Sequence, residues 1–304
     1  MLSILFFLLY ISLFLLGMYV LRASLMKLSG NHVNKWLSRF TATPLAGMIF
    51  GILVTILLQS SSAVMIITIG LISAKVLSFE RSIGIILGTN IGTTTTVEFL
   101  AYSTDHFIIP LFIIGGCFIL FAKEKGKAFG FFFYGLAGIF LAMRGFENLA
   151  VHFGKMETLF PLFKEINEHY SLAALLGLMI TAIIQSSTAM TGIAMGFVHS
   201  ATISLPSAIA IMLGANIGTC VDAFIASIGG GREAKQAAYA HIYINVIGVL
   251  LFLPFTLPFS EVVGMLATDP EVQLAHASVL FNVFISLIFL PFIRPFAGFI
   301  SKIH

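Results

Sequence analysis

Apolar residues dominate this chain, so the polar interruptions carry the information. Residues 2–21 are uncharged and mostly apolar, long enough to cross a bilayer as a helix at about 1.5 Å per residue. No Lys or Arg precedes Arg22 and no Ala-x-Ala follows the run, so the pattern predicts a retained transmembrane helix, not a cleaved signal. Further spanning helices are predicted over about 107–121, 127–145, 236–258 and 275–293. Two stretches behave differently: they have apolar arms on both sides of a polar tip, Gln59-Ser60-Ser61-Ser62 and Gln185-Ser186-Ser187-Thr188. The arm over about 43–58 is too short for a crossing and a return, which predicts re-entrant hairpins. Gly88-Thr-Asn90-Ile-Gly92-Thr93 and Gly214-Ala-Asn216-Ile-Gly218-Thr219 are predicted as unwound points in discontinuous helices, with close helix packing as the competing use of such glycines.

The interruptions repeat. Residues 51–97 align with 177–223 at an offset of 126 without a gap, with 17 identities in 47 positions. Apolar composition would match Leu with Leu by chance, but not Gln-Ser-Ser and Asn-Ile-Gly-Thr in register. The expected organisation is a first repeat over 1–126, a second over 127–258, and an outer loop plus an extra transmembrane helix over 259–304.

Composition narrows the class. Of 304 residues, 59% are hydrophobic and 10% charged, and mean hydropathy is +1.04. A soluble domain carries about 25% charged residues. Lipid must therefore meet most of this surface, which excludes a soluble enzyme, a nucleic-acid binder and a disordered chain. Cys117 and Cys220 lie in apolar runs and suggest neither a disulfide framework nor a metal cluster. If each hairpin dips in and returns, one membrane face collects thirteen of the sixteen Lys and Arg residues and the other collects nine acids. The positive-inside rule then puts the N-terminus outside and the C-terminus in the cytoplasm. A duplicated unit of three crossings must lie upside down relative to its copy, so the fold class is an all-α polytopic membrane protein with two inverted-topology repeats.

A hairpin tip at membrane depth offers two kinds of site. The incoming arm ends in carbonyls without intrahelical partners, which suit Na+; the outgoing arm begins with unbonded N–H groups and the positive end of a helix dipole, which suit an oxyanion. Neither tip and neither Asn-Ile-Gly-Thr stretch contains a base, so the anion is expected to be held by hydroxyls and N–H groups without Lys or Arg. Asp222, the single acid within apolar segment 204–226, is either a functional charge or a helix anchor paired with Arg232 or Lys235. His241 and Asn245 share a helix face, for which an interhelical hydrogen bond is the commoner use.

Gln-Ser-Ser-Ser followed about thirty residues later by Gly-x-Asn-Ile-Gly-Thr, with the whole unit then repeated, resembles the type II sodium–phosphate cotransporters. The resemblance covers roughly 40–125 and 170–293, including His241-x-x-x-Asn245 and Phe281-Asn282. It implies Na+-coupled phosphate transport with both hairpins meeting at one site. That site would comprise Gln59, Ser60, Ser61, Ser62, Asn90 and Thr93 together with Gln185, Ser186, Ser187, Thr188, Asn216 and Thr219. Na+ would be the coupling ion, shared among the same residues, with no other cofactor and with Asp222 left open as a ligand. Thr188 departs from the usual Ser but keeps the hydroxyl. No Asn-x-Ser/Thr sequon occurs, which points to a bacterial inner membrane. The partners are inorganic phosphate, Na+ and the lipid bilayer; nucleic acid is excluded and a homo-oligomer is left open. The alternatives are a phosphate exporter or a carrier of another oxyanion, and more distantly an intramembrane serine hydrolase. The hydrolase lacks a Gly-x-Ser-x-Gly elbow and a histidine duplicated with the serines.

Overall fold

The computed structural model describes residues 2–29, 43–102 and 105–304. Residues 30–42, with two of the bases expected on the basic face, Lys35 and Arg39, lie outside the described residues. The described chain is helical throughout: α1 (Leu2–Ser29), α2 (Pro44–Leu58), α3 (Ser61–Ser73), α4 (Phe79–Ala101), α5 (Asp105–Phe121), α6 (Glu124–Gly154), α7 (Phe160–Glu168), α8 (Tyr170–Ile184), α9 (Ser187–His199), α10 (Leu205–Gly218), α11 (Cys220–Ser227), α12 (Gly231–Phe252), α13 (Thr256–Gly264), α14 (Pro270–Phe289) and α15 (Ile293–Ile303). Five helical stretches among the described residues are long and apolar enough to cross a bilayer: Leu2–Leu28, Glu124–Gly154, Leu205–Ser227, Gly231–Gly264 and Pro270–Ile303. Their outward faces are apolar, as lipid requires; Leu5, Leu9, Leu16, Leu250 and Leu287 are all exposed.

The hairpin arms are short. α2 and α8 have 15 residues each and α3 and α9 have 13. At 1.5 Å per residue these are about 23 and 20 Å, below the ~30 Å hydrocarbon core, so no arm crosses alone. The duplication is written into the backbone as well. Gln59 and Gln185 are both left-handed at φ 50° and 53°, and so are Lys75 and Ala201 at φ 58° and 54°, each pair one repeat offset apart.

The two hairpins end at different groups. At the far end of α3, Ser73 Oγ donates to the Gly230 carbonyl at 3.1 Å, and the Phe79 N–H just beyond it donates to Glu233 at 3.3 Å. At the far end of α9, His199 meets Glu271 at 2.9 Å. Gly230 and Glu233 lie beside Arg232 and Lys235 on the predicted basic face, whereas Glu271 belongs to the predicted acidic one.

Two sequence expectations need correction. α4 runs without interruption through Gly88–Thr93, so the first predicted break is absent. The second shrinks to a single joint at Thr219, whose N–H still donates to the Ala215 carbonyl at 3.1 Å. The glycines serve packing. A Cβ on Gly88 would collide with the Met48 carbonyl of α2, and one on Gly214 with the Ala174 carbonyl of α8. Small residues here let α4 lie directly on α2, and α10 on α8, backbone to backbone. Helix α6 also runs on to Gly154, placing Arg144 well inside the helix instead of at its end.

Candidate functional site

Each tip is built by the same three-step turn. α2 stops at Leu58 because Gln59 adopts the left-handed conformation, the ordinary way to end a helix. Ser60 is then extended (φ −156°), and its Oγ accepts from the Ala63 N–H at 3.1 Å, capping α3. In the second half Gln185 ends α8, and Ser186 (φ −149°) accepts from the Ala189 N–H at 3.2 Å to cap α9. Glutamine in the left-handed region carries backbone strain of the order of 1–3 kcal/mol, a cost that clusters at functional sites. The Gln59 side chain is held on both ends: its Nε2 donates to the Ile56 carbonyl at 2.7 Å, and its Oε1 accepts from Thr96 Oγ1 at 2.6 Å.

Both tips face one small polar chamber. Gln59, Ser61, Ser62 and Thr93 line it from the first half, and Gln185, Ser186, Ser187, Thr188 and Thr219 from the second. Thr96 and Arg22 complete the wall. The first turns of α3 and α9 thus present their unbonded N–H groups to a common volume, and each helix end is equivalent to about half a positive charge. The chamber measures about 10 Å³, roughly the room one water needs. A tetrahedral oxyanion fits only if the tips part.

Beside it lies a larger cavity of about 480 Å³, lined by Arg22, Ser62, Ile66, Gln185, Asp222, Ile225 and Ala226. Ile66 lies on the first outgoing arm and Ala226 near the end of α11, so this vestibule extends from the tips toward the Gly230 end of the molecule. Arg22, Ser62 and Gln185 line both spaces and form the partition between them. Ser62 Oγ donates to the Asp222 carboxylate. Arg22 Nε donates to the Gln59 carbonyl at 2.8 Å, satisfying an orphan acceptor at the end of α2.

Nine of the twelve residues expected at the site therefore share the chamber, and three have other places. Ser60 is buried as the α3 cap. Asn90 Nδ2 donates to Asn245 Oδ1 at 3.3 Å, the interhelical bond anticipated for the His241–Asn245 face. Asn216 Nδ2 approaches the Met212 sulfur at 3.5 Å. Asp222 does not pair with Arg232, which instead donates to the Ser301 and His304 carbonyls at the end of α15. The anion was expected to be held without Lys or Arg, and Arg22 lines the chamber. Arg22 is carried to the tips by the first helix, which is expected over 2–21 and continues to Ser29. Its only sequence signal is a charge that ends an apolar stretch, which also describes any helix end.

Chemically the arrangement suits a small oxyanion beside a cation. Hydroxyls, N–H groups and one guanidinium supply donors, while Asp222 and helix-end carbonyls supply acceptors. Among the described residues no cluster of three or more His, Cys, Asp or Glu is placed to hold a metal ion. Among the described residues no histidine lines either cavity.

The chain matches the Na+/Pi-cotransporter family over residues 13–148 and 152–267. It is 43% identical over 257 residues to the uncharacterized protein YqeW of Bacillus subtilis, covering 84% of each chain. It is 25% identical over 276 residues to the putative inorganic phosphate export protein YjbB of Escherichia coli K12, covering 90% of this chain but only 50% of that protein. The human sodium-dependent phosphate transport protein 2B is 30% identical over 131 residues, 41% of this chain and 19% of its own. No solved structure matches. Two registered Gln-Ser-Ser tips on one chamber, in a polytopic helical chain matched over most of its length, make this protein a non-enzymatic membrane transporter of the Na+/Pi-cotransporter family.

Proposed function

We propose that the protein couples Na+ to the movement of inorganic phosphate across a bacterial plasma membrane, through one site shared by two inverted repeats. The observation that carries this reading is the convergence of both Gln-Ser-Ser tips on a single chamber. The different ends of the hairpins support the inversion: α3 runs away from the site toward Gly230 and Glu233, and α9 runs away toward Glu271. With the basic face in the cytoplasm, the N-terminus is outside, the C-terminus inside, and the vestibule opens inward. The repeats then comprise 1–126 and 127–258, with 259–304 adding an outer loop and a final transmembrane helix. Coupling follows from electrostatics. A phosphate dianion in a nearly dry site needs compensating charge, and helix ends with one arginine leave room for a cation to contribute. Export is the second reading, because the E. coli relative is named a putative phosphate exporter; the same tips serve either direction, which the gradients decide.

The test is uptake of labelled phosphate by the purified protein in liposomes, with and without a Na+ gradient, alongside Ser61→Ala and Ser187→Ala. Each lost hydrogen bond to a charged group costs about 1.5–3 kcal/mol, a tenfold to more than hundredfold loss of affinity. Both variants are expected to fall by that much. Near-normal uptake by either one would mean that its hairpin is packing material and that no shared site exists.

A further inference from the structure

Arg22 is placed where the structure has two uses for a cation. One is structural: Nε caps the carbonyl end of α2 through Gln59. That contact takes one of the five N–H donors of a guanidinium. The four donors on its two Nη atoms have no partner among the described residues, while the side chain lines both the chamber and the vestibule. Two helix N-termini already converge on the chamber, so a third positive group beside them raises the electrostatic cost of the site unless something negative visits it. Among the described residues Asp222 is the single acid lining either cavity; it interacts electrostatically with Arg22 and accepts from Ser62 Oγ, one carboxylate against three positive groups.

We infer that Arg22 is the anion-selecting residue of the site: its two Nη groups take two oxygens of phosphate passing between vestibule and chamber, while Nε stays on the Gln59 carbonyl. A planar fork of donors matches a pair of oxygens on a tetrahedral anion, which a lysine ammonium does only as a point charge. The partition of Arg22, Ser62 and Gln185 then works as a selective sill. Anions cross by exchanging water for the fork, and the first tip is held in place by the same side chain. This assignment rests on the phosphate-transport reading above, and the experiment separates the two.

The measurement uses the full chain carrying Arg22→Gln and, separately, Arg22→Lys. Na+-driven phosphate uptake in liposomes gives KM and kcat, and thermal melting in detergent with and without inorganic phosphate gives binding independently of transport. Arg22→Gln is expected to raise KM for phosphate about tenfold to a hundredfold and to abolish the phosphate-induced rise in melting temperature. Arg22→Lys is expected to raise KM about threefold to tenfold with kcat little changed, because charge survives and the fork does not. A purely structural cap predicts the reverse: a lower melting temperature without phosphate, and wild-type KM in the folded protein. That pattern overturns the assignment. If Arg22→Gln fails to fold, a wild-type KM in Arg22→Lys overturns it equally. Wild-type protein that binds phosphate but shows no Na+-driven uptake sinks the coupling reading alone, and the melting shifts of the variants still decide Arg22.

Discussion

Asp222→Asn tests the proposed cation and anion separately. The carboxylate is half-buried, lines the vestibule, and accepts from Ser62 Oγ. Asparagine keeps an oxygen for that hydroxyl, so the substitution removes charge with little change in shape. A monovalent cation about 5 Å from a carboxylate gains about 3 kcal/mol at an effective permittivity near 20. Partial exposure to water reduces this to about 1–2 kcal/mol, which is roughly fivefold to thirtyfold in affinity. The half-saturating Na+ concentration for phosphate uptake in liposomes is therefore expected to rise by that factor. The effect on phosphate has the opposite sign. Removing a negative charge from the cavity that holds Arg22 lowers the repulsion an entering anion meets, so KM for phosphate at saturating Na+ is expected to stay constant or fall. The reasoning is refuted by an unchanged Na+ titration of folded protein, which would reduce Asp222 to a partner for Ser62. A loss of phosphate affinity at saturating Na+ would refute the charge argument from the other side.

Two further outcomes test the frame around the site. Gly214→Ala drives a methyl into the Ala174 carbonyl, whereas Gly298→Ala meets nothing within 4 Å; overpacking costs about 1–3 kcal/mol, so the first variant is expected to melt several degrees lower in detergent and the second not to. Equal melting temperatures would mean that the α8–α10 seam is not tightly packed. Single cysteines at Lys125 and at Asp269, both exposed, in a chain whose exposed Cys117 has been replaced, are expected to react with impermeant reagent from opposite membrane faces. Labelling of both from one side would contradict the inverted arrangement.

What could be read from the sequence was local or repeated. Gln59-Ser60 and Gln185-Ser186 are turn chemistry within four residues, and their duplication singled them out before any packing was known. Arm length did the same for the hairpins, since 13 and 15 residues cannot span a bilayer however they pack. The missed features were long-range. Arg22 reaches Gln59 across 37 residues of chain, and Ser62 reaches Asp222 across 160. The glycines of the two Asn-Ile-Gly-Thr stretches show a different limit. A helix break and a close helix approach call for the same residue, and only the neighbouring Met48 and Ala174 carbonyls decide between them. Asn90 and Asn216 were drawn into the expected site by their motif, yet on a continuous helix a residue's direction is set by the turn, and Asn90 points at Asn245.

Duplication by itself supplies two equal tips, and equal tips give no reason for a cation and an anion to settle at different places. The charged residues of the two cavities break that equality. Asp222 stands where the first half has Thr96, and Arg22 lies outside the stretch over which the two halves align. In the first half Thr96 Oγ1 donates to Gln59 Oε1, a neutral bond that braces the tip; in the second the corresponding position carries a charge that engages Ser62 of the opposite tip. The Gln59 carbonyl, which the end of α2 leaves without a helical partner, is taken by Arg22. At the second hairpin the Gln185 residue closes the end of α8, and helix-end carbonyls of this kind suit a small cation. Symmetric backbone thus positions four helix ends around one volume, and two unduplicated side chains give that volume a positive side and a negative one. An ion pair loaded in that polarity neutralises itself as it binds. If the protein couples Na+ to phosphate as proposed, the asymmetry that tells the two ions apart also makes each ion's affinity depend on the other.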